Sequence, residues 1–439
     1  MTGLHVTTLG CKLNQLDSAE IAGAMAGARV PLVDDPAAAS LVVVNTCTVT
    51  AGADADARQI VRRRRRESPR ALIVVTGCLA ERDPGALRAM PEVDLVLRRA
   101  DRPGAAAIVL ARLRERFPAD FADGCADRLA DETLPDFGGR TRAYLRVQEG
   151  CDLRCSYCVI PSVRGDSVSV PPAQVERRFR ALLDAGYKEI VLTGVNTGDY
   201  GKDLGRGVDL AALLGRLADI PGEFRVRLNS VEPRCVTPGL VDLIAGHPRV
   251  ARHLQIPLQS GCDDVLRAMR RNYRTGDYMR IVTDLRRRVP DIGLGADVIV
   301  GFPNETDERF AKTASFIERS PLNYLHVFSW SPRPGTGAAD MRPVYPAFAL
   351  ASRSRLLRSL GRRLAHAFRL SQRGRTHEAL VMSGGKDGGG PRALTSNFIE
   401  AELLAPHPGN TFATIAIAKV DSSGRAWATV ENASRACSR

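Results

Sequence analysis

The sequence predicts an α/β protein in three parts: a parallel-sheet α/β domain, a partial barrel of six βα units, and a small antiparallel β-barrel. Short β-branched runs alternate with helix-length segments through the first hundred residues, the pattern of a mostly parallel sheet. The alternation resumes from 141 to about 335, long enough for six strand–helix units. From 373 onward short apolar runs are parted by Gly-rich turns, as in a small β-barrel.

In the first part (1–114) the strand candidates are LHVTTL (4–9), LVVVN (41–45), ALIVVT (71–76) and VDLVL (93–97). An acidic, proline-containing stretch at 115–140 reads as a linker. The second part (141–372) has strand candidates at 143–148, 189–194, 224–230, 252–257, 294–302 and 324–330. Helix-like segments such as PAQVERRFRALLDAGY (172–187) separate them, and a basic helix over 350–372 ends the part. The third part (373–439) has strand candidates in THEALVM, FIEAELL, TFATIAIAKV and RAWATV.

The N-terminus lacks a basic stretch followed by an apolar one, and no apolar run approaches the ~18 residues of a membrane span. These features predict a cytoplasmic protein away from membranes. A net charge of +13 favours a polyanionic partner, nucleic acid above all.

Three of the ten cysteines, Cys151, Cys155 and Cys158, form a C-x3-C-x2-C run just after the first barrel strand. Zinc and iron–sulfur clusters normally take four protein ligands, so three thiolates leave an open position, the mark of a reactive centre. The alternatives are a zinc site completed from elsewhere in the chain, or reduced core cysteines. Cys11, Cys47 and Cys78 each lie just past a predicted strand of the first domain. Parallel strands end on one edge, so the three thiols can converge there, although strand-end cysteines also serve plain packing. Cys125, Cys235, Cys262 and Cys437 have no such context.

The stretch EGCDLRCSYCVIPSVRG resembles the radical S-adenosylmethionine superfamily. With TLGCKLNQLDSAEI, VVNTCTVT and VTGCLAER it resembles that superfamily's methylthiotransferase family, nearly end to end. The resemblance implies a radical-SAM barrel, a TRAM-like C-terminal barrel and two [4Fe-4S] clusters, on Cys151, Cys155 and Cys158 and on Cys11, Cys47 and Cys78. It also implies S-adenosylmethionine at the open iron of the barrel cluster, and no catalytic residue beyond the cluster ligands. By motif, Gly194, Asn196, Ser230, Glu232, Gln259, Ser260 and Gly301 would form the S-adenosylmethionine pocket. Gly194 and Gly301 would admit backbone close to the ligand.

Three segments resemble the subgroup that acts on N6-threonylcarbamoyladenosine in tRNA: AGADADARQIVRR, LQSG and SWSPRPGTG. The Ile-Pro of LQIPLQSG departs from that subgroup's frequent pattern. The implied reaction adds a methylthio group to C2 of this nucleoside, 3′ to the anticodon, with a flavodoxin- or ferredoxin-like electron donor and an unidentified sulfur source. Isopentenyl-adenosine in tRNA and an aspartate of a ribosomal protein are the nearer alternatives, and a zinc-stabilised, non-enzymatic RNA-binding protein the distant one. Arg58, Arg62 and Arg66 share one helical face, joined by Arg63, and with Arg373 and Arg375 of the last domain they are the candidate RNA contacts. Lys386 and Arg392 belong to the same basic set, and a solvated arginine face is the alternative.

Overall fold

The computed structural model describes residues 3–118, 134–382 and 390–431. Strands β1 (Leu4–Thr8), β2 (Leu41–Thr46), β3 (Leu72–Gly77) and β4 (Leu95–Val96) form a parallel sheet in sequence order. Helices α1 (Lys12–Gly27), α2 (Ala51–Glu67), α3 (Cys78–Arg82), α4 (Pro84–Arg88) and α5 (Ala105–Arg116) connect and complete it. All of β2 is buried because both sheet faces are covered. Leu41 and Val43 fall in one apolar core, Val42 and Val44 in another. Most of the predicted linker, with Cys125, lies outside the described residues, as do Lys386 and Cys437. The described end of the linker lies on α1, where Asp136 N donates to Ala19 O at 2.9 Å.

The second part runs β5 (Arg142–Arg146), β6 (Gln148–Glu149), α6 (Ile160–Arg164), β7 (Val168–Ser169), α7 (Pro172–Asp184), β8 (Glu189–Thr193), α8 (Leu210–Ala218), β9 (Arg225–Leu228) and α9 (Pro238–Gly246). It continues with β10 (His253–Gln255), α10 (Asp263–Ala268), α11 (Thr275–Arg288), β11 (Gly293–Val300), α12 (Asp307–Arg319), β12 (Tyr324–Ser329) and α13 (Ala347–Ser371). β5, β8 and β9 pair in parallel, as do β10, β11 and β12. Single parallel bridges, Val226–Val250 and Ser230–Gln255, join the two sets into one curved, open wall. All six expected barrel strands are present. The short antiparallel ribbon of β6 and β7 was not expected from the sequence.

The third part closes β13 (Thr376–Val381), β14 (Arg392–Thr395), β15 (Glu400–Leu403), β16 (Thr411–Val420) and β17 (Ala426–Val430) into a barrel. Its pairs are antiparallel except β15 with β17, which run parallel. This barrel seals the foot of the six-stranded wall, at the strands' N-terminal ends. Arg225 donates to Leu394 O at 2.7 Å, Arg227 to Ser396 O at 3.0 Å, and Asn397 Nδ2 to Asp291 O at 3.0 Å. Glu189, fully buried, neutralises Arg225 and Arg227 from the strand between them and β5. The opposite, C-terminal edge is left for chemistry.

Candidate active site

The three barrel cysteines sit on a loop clamped at its base. β6 and β7 pair across residues 150–167, and Cys151 N donates to Gly165 O at 3.0 Å. Gly150 has φ +72°, and a Cβ there would lie 1.8 Å from Asp166 O, so only glycine closes this neck. Gln148 stitches the loop to the next strand end: it donates to Gly150 O at 2.8 Å and accepts from Asn196 N at 2.8 Å. Cys151 is buried, and Cys155 and Cys158 are half-buried. Burial, with the neighbouring thiols, pushes Cys158 up to about 12 and raises Cys151. Burial thus favours the neutral thiol at Cys151 and Cys158, and ligation to iron is what would hold them as thiolates. Arg271 supplies a donor to this set, its Nη1 standing 3.2 Å from Cys155 Sγ, and it pairs with Glu232 at the end of β9.

The other three thiols gather at the C-terminal edge of the first sheet. Cys11 caps α1, Cys47 follows β2 and Cys78 opens α3. A Cβ on Gly10 would come within 3.0 Å of Cys47 Sγ, so the Cys11 and Cys47 loops touch. Asn14 Oδ1 lies 3.9 Å from Cys78 Sγ. Burial pushes Cys78 up to about 11, with Cys11 and Cys47 adding to the rise, and raises Cys47, with Cys11 adding to it. Cys78 packs in one small apolar cluster with Val159 and Val163, the residues that follow Cys158. Through Cys78, the first sheet's edge thus packs on the residues that follow the barrel cysteine loop.

Among the described residues, no three of His, Cys, Asp and Glu stand close enough to share one metal ion. Thiolates of a four-iron cluster bind separate irons, whereas a zinc ion gathers its ligands on one atom.

Of the expected pocket residues, Asn196 is the best placed for a ligand. It is buried, its Nδ2 donates to Asp199 at 2.7 Å, and its Oδ1 has no hydrogen-bond partner. The Thr197 hydroxyl beside it is likewise buried and unpartnered, so this strand end offers polar atoms that a bound cofactor would satisfy. Ser230 bridges to Gln255 where β9 meets β10, and Gln259 takes φ +61° in the turn after β10. Ser260 is fully buried with its hydroxyl engaged by Thr313 at 3.1 Å, which places it behind the edge as a support. The two glycines make room for neighbouring protein atoms. A Cβ on Gly194 would strike Gln148 Oε1 at 2.8 Å, and one on Gly301 would strike Leu350 Cδ1 at 2.4 Å. Both let protein atoms approach the backbone closely.

Comparison with known proteins bears on the same two regions. The Radical SAM superfamily matches residues 145–317, and the uncharacterized protein family UPF0004 matches residues 3–98. The threonylcarbamoyladenosine tRNA methylthiotransferase MtaB of Bacillus subtilis is 39% identical over 76% of this chain and 74% of that one. The chain belongs to the radical S-adenosylmethionine methylthiotransferase family. The ribosomal protein uS12 methylthiotransferase RimO of Sorangium cellulosum is 36% identical over 86% of this chain and 79% of that one. Among solved structures, the radical S-adenosylmethionine methyltransferase TsrM of Kitasatospora setae shares the fold at TM-score 0.56 and 16% identity, over 77% of this chain and 75% of that one. As a radical S-adenosylmethionine enzyme, this methylthiotransferase has in Cys151, Cys155 and Cys158 a donor set suited to the superfamily's [4Fe-4S] cluster.

The methylthiotransferase's arginine helix divides in two. Arg64 and Arg65 are engaged by Thr7 Oγ1 and by Asp94, at 2.9 and 2.5 Å, and Arg63 pairs with Glu67 at 2.8 Å. Arg58 and Arg66 make no ion pair among the described residues, and Arg62 stands 4.0 Å from Glu92. Arg373 and Arg375 are exposed at the foot of the wall, on the far side from the cysteines. Sequence reasoning missed Lys12, Arg271 and Arg333, which the site uses. Lys12 reaches from α1 to Asn229 Oδ1 at 2.9 Å; burial and the nearby Arg142 and Arg227 lower its ammonium to about 8, which keeps it a cation at neutral pH. Arg333, 2% exposed, bonds Thr48 at 2.7 Å and Asp54 at 2.6 Å beside Cys47. For Lys12 the available signal was its position directly after a candidate ligand.

Proposed function

We propose that this methylthiotransferase modifies tRNA at N6-threonylcarbamoyladenosine 3′ to the anticodon, adding a methylthio group at C2. The observation that carries the reading is that the sheet edge bearing Cys11, Cys47 and Cys78 packs, through Cys78, on the residues that follow Cys151, Cys155 and Cys158. Cys151, Cys155 and Cys158 would hold the first [4Fe-4S] cluster, and Cys11, Cys47 and Cys78 a second. When bound, these groups and S-adenosylmethionine supply a 5′-deoxyadenosyl radical to take the C2 hydrogen, sulfur to replace it, and a methyl group for the sulfur. The chain's own part is positional. The clamped neck at Gly150 fixes the cysteine loop, and Asn196, Ser230, Glu232 and Gln259 line the pocket edge, with Gly194, Ser260 and Gly301 shaping it from behind.

The Bacillus subtilis relative's name supports the nucleoside. The target base must be splayed from the anticodon loop to reach between the triads. Arg58, Arg62, Arg63, Arg66, Arg373 and Arg375 are assigned to phosphates, a flavodoxin- or ferredoxin-like protein supplies electrons, and the cytoplasm is the place of action. The Sorangium cellulosum relative keeps a ribosomal-protein aspartate as the second reading. The decisive test is mass spectrometry of tRNA nucleosides from cells with and without the gene. Loss of 2-methylthio-threonylcarbamoyladenosine, with 2-methylthio-isopentenyl-adenosine unchanged, is expected. Unaltered threonylcarbamoyl nucleosides would remove this substrate, and a missing modification on the ribosomal protein would install the second reading.

A further inference from the structure

We propose that Lys12 is a specificity-determining residue that binds the carboxylate of the threonylcarbamoyl group, an inference that rests on the nucleoside assigned above. Lys12 is the first residue of α1, directly after Cys11, and its side chain crosses the domain interface to the end of β9. Its ammonium meets one protein acceptor there, Asn229 Oδ1 at 2.9 Å, and makes no ion pair among the described residues. An ammonium carries three donors, so two remain for a ligand. The acid in its electrostatic neighbourhood on β11, Asp297, is already held by Gln255 at 2.6 Å and His326 at 3.2 Å. Arg142 and Arg227, also in the neighbourhood, add positive potential, and both are tied to Glu189. A half-buried cation with no direct ion pair is costly in the free protein and is relieved by an anion at its free donors.

The substrate's chemistry complements this cation. In the assigned nucleoside, C2 and the N6 substituent lie along the same Watson–Crick edge of the purine. A base with C2 between the two triads therefore carries its threonyl carboxylate to the rim where Lys12 adjoins Cys11. Adenosine and isopentenyl-adenosine bring no charge to that place. Leaving Lys12 buried beside an apolar substituent would penalise them, which is how a site built for one polar group rejects analogues lacking it.

The test uses the full-length, cluster-loaded enzyme and three anticodon stem-loops, carrying threonylcarbamoyladenosine, its methyl ester, and isopentenyl-adenosine. Dissociation constants are measured anaerobically without S-adenosylmethionine, and methylthiolation kcat/KM separately. The wild-type enzyme should prefer the acid over the ester by about tenfold or more, the scale of one charge-assisted hydrogen bond. Lys12→Met should bind acid and ester alike, at the wild type's ester level, and Lys12→Arg should keep part of the preference. The wild-type comparison of acid with ester stands even where the Met variant fails to load clusters. Equal wild-type affinity for acid and ester, or a preference retained by Lys12→Met, would overturn the inference while turnover of the acid leaves the proposed function standing. Turnover of the isopentenyl stem-loop alone would overturn both.

Discussion

At the scale of single residues, the barrel triad depends on one guanidinium. Arg271 is 3% exposed and is shared by Cys155, Glu232 and Tyr273, whose ring it also covers at 4.9 Å. Tyr273 in turn donates to Pro257 O and Leu258 O, at 3.0 and 2.9 Å, so Arg271 couples the cysteine loop to the β9 and β10 ends. Arg271→Leu would strand Glu232, whose buried carboxyl is already raised by desolvation against the pull of Arg271. Breaking one partner of a buried pair costs about 3–5 kcal/mol, whereas replacing both is far milder. Urea unfolding should therefore show Arg271→Leu/Glu232→Gln more stable than Arg271→Leu alone. A double variant as unstable as the sum of the two single changes would mean that the pair is not coupled.

At the scale of elements, α1 is the hinge on which the two triads are aligned. Its Asp17 and Glu20 meet Arg146 of β5, and Asp17 also meets Arg164 of α6 at 3.0 Å. Glu149 closes the network by pairing with Arg102, Arg146 and Arg164, at 2.8, 2.9 and 2.7 Å. Burial pushes Glu149 up, but Arg146, Arg102 and Arg164 outweigh it and hold the carboxyl down to about 2. A carboxylate whose pKa is depressed on folding stabilises the fold above its unfolded pKa, near 4.5, and that contribution is lost as pH falls towards 2. The shift corresponds to at most about 3–4 kcal/mol. Glu149→Gln should lower stability at pH 7 and flatten its decline between pH 5 and 2, measured by urea unfolding at several pH values. An unchanged slope would place the pH sensitivity elsewhere. These pairings mark where sequence reading stops. Strand candidates such as LVVVN and ALIVVT were legible because their β-branched apolar runs leave little else to be. The positions of Cys11, Cys47 and Cys78 at one sheet edge were legible because parallel strands must end on a common edge, and Cys151, Cys155 and Cys158 stood out by their spacing. The four-residue β14 and two-residue β6 and β7 hold too few residues to carry a period. The Arg333–Asp54 pair joins groups 279 residues apart. It also gives the ADADARQ and SPRPG segments a role in docking the first domain on the barrel, which their local composition did not suggest.

At the scale of the whole molecule, the active edge and the C-terminal barrel lie at opposite ends of the strand wall. β11 has eight residues, so these ends are separated by roughly 25 Å at about 3.3 Å per residue. Arg58 lies nearer the active edge than Arg62 or Arg66, because α2 begins there, its Ala51 N bonded to Ser331 Oγ at 3.1 Å, and runs away from it. A tRNA that inserts its loop between the triads and also reaches Arg373 and Arg375 must therefore lie along the side of the wall. Its grip at the foot would be to phosphates, blind to the modified base. Arg373→Ala/Arg375→Ala should weaken tRNA binding and lower the slope of log K against log salt concentration by about 0.7–0.9 for each phosphate no longer neutralised. The preference for threonylcarbamoyladenosine over isopentenyl-adenosine should not move, since neither arginine is near the cysteines. Filter binding across a salt series measures the slope, and paired stem-loop substrates measure the preference. A fall in affinity with no change of slope would mean that these arginines support the C-terminal barrel's fold and do not touch RNA. A change in nucleoside preference would mean that the foot is coupled to the active edge through the Arg225–Glu189–Arg227 plug, the charged structure that lies between them.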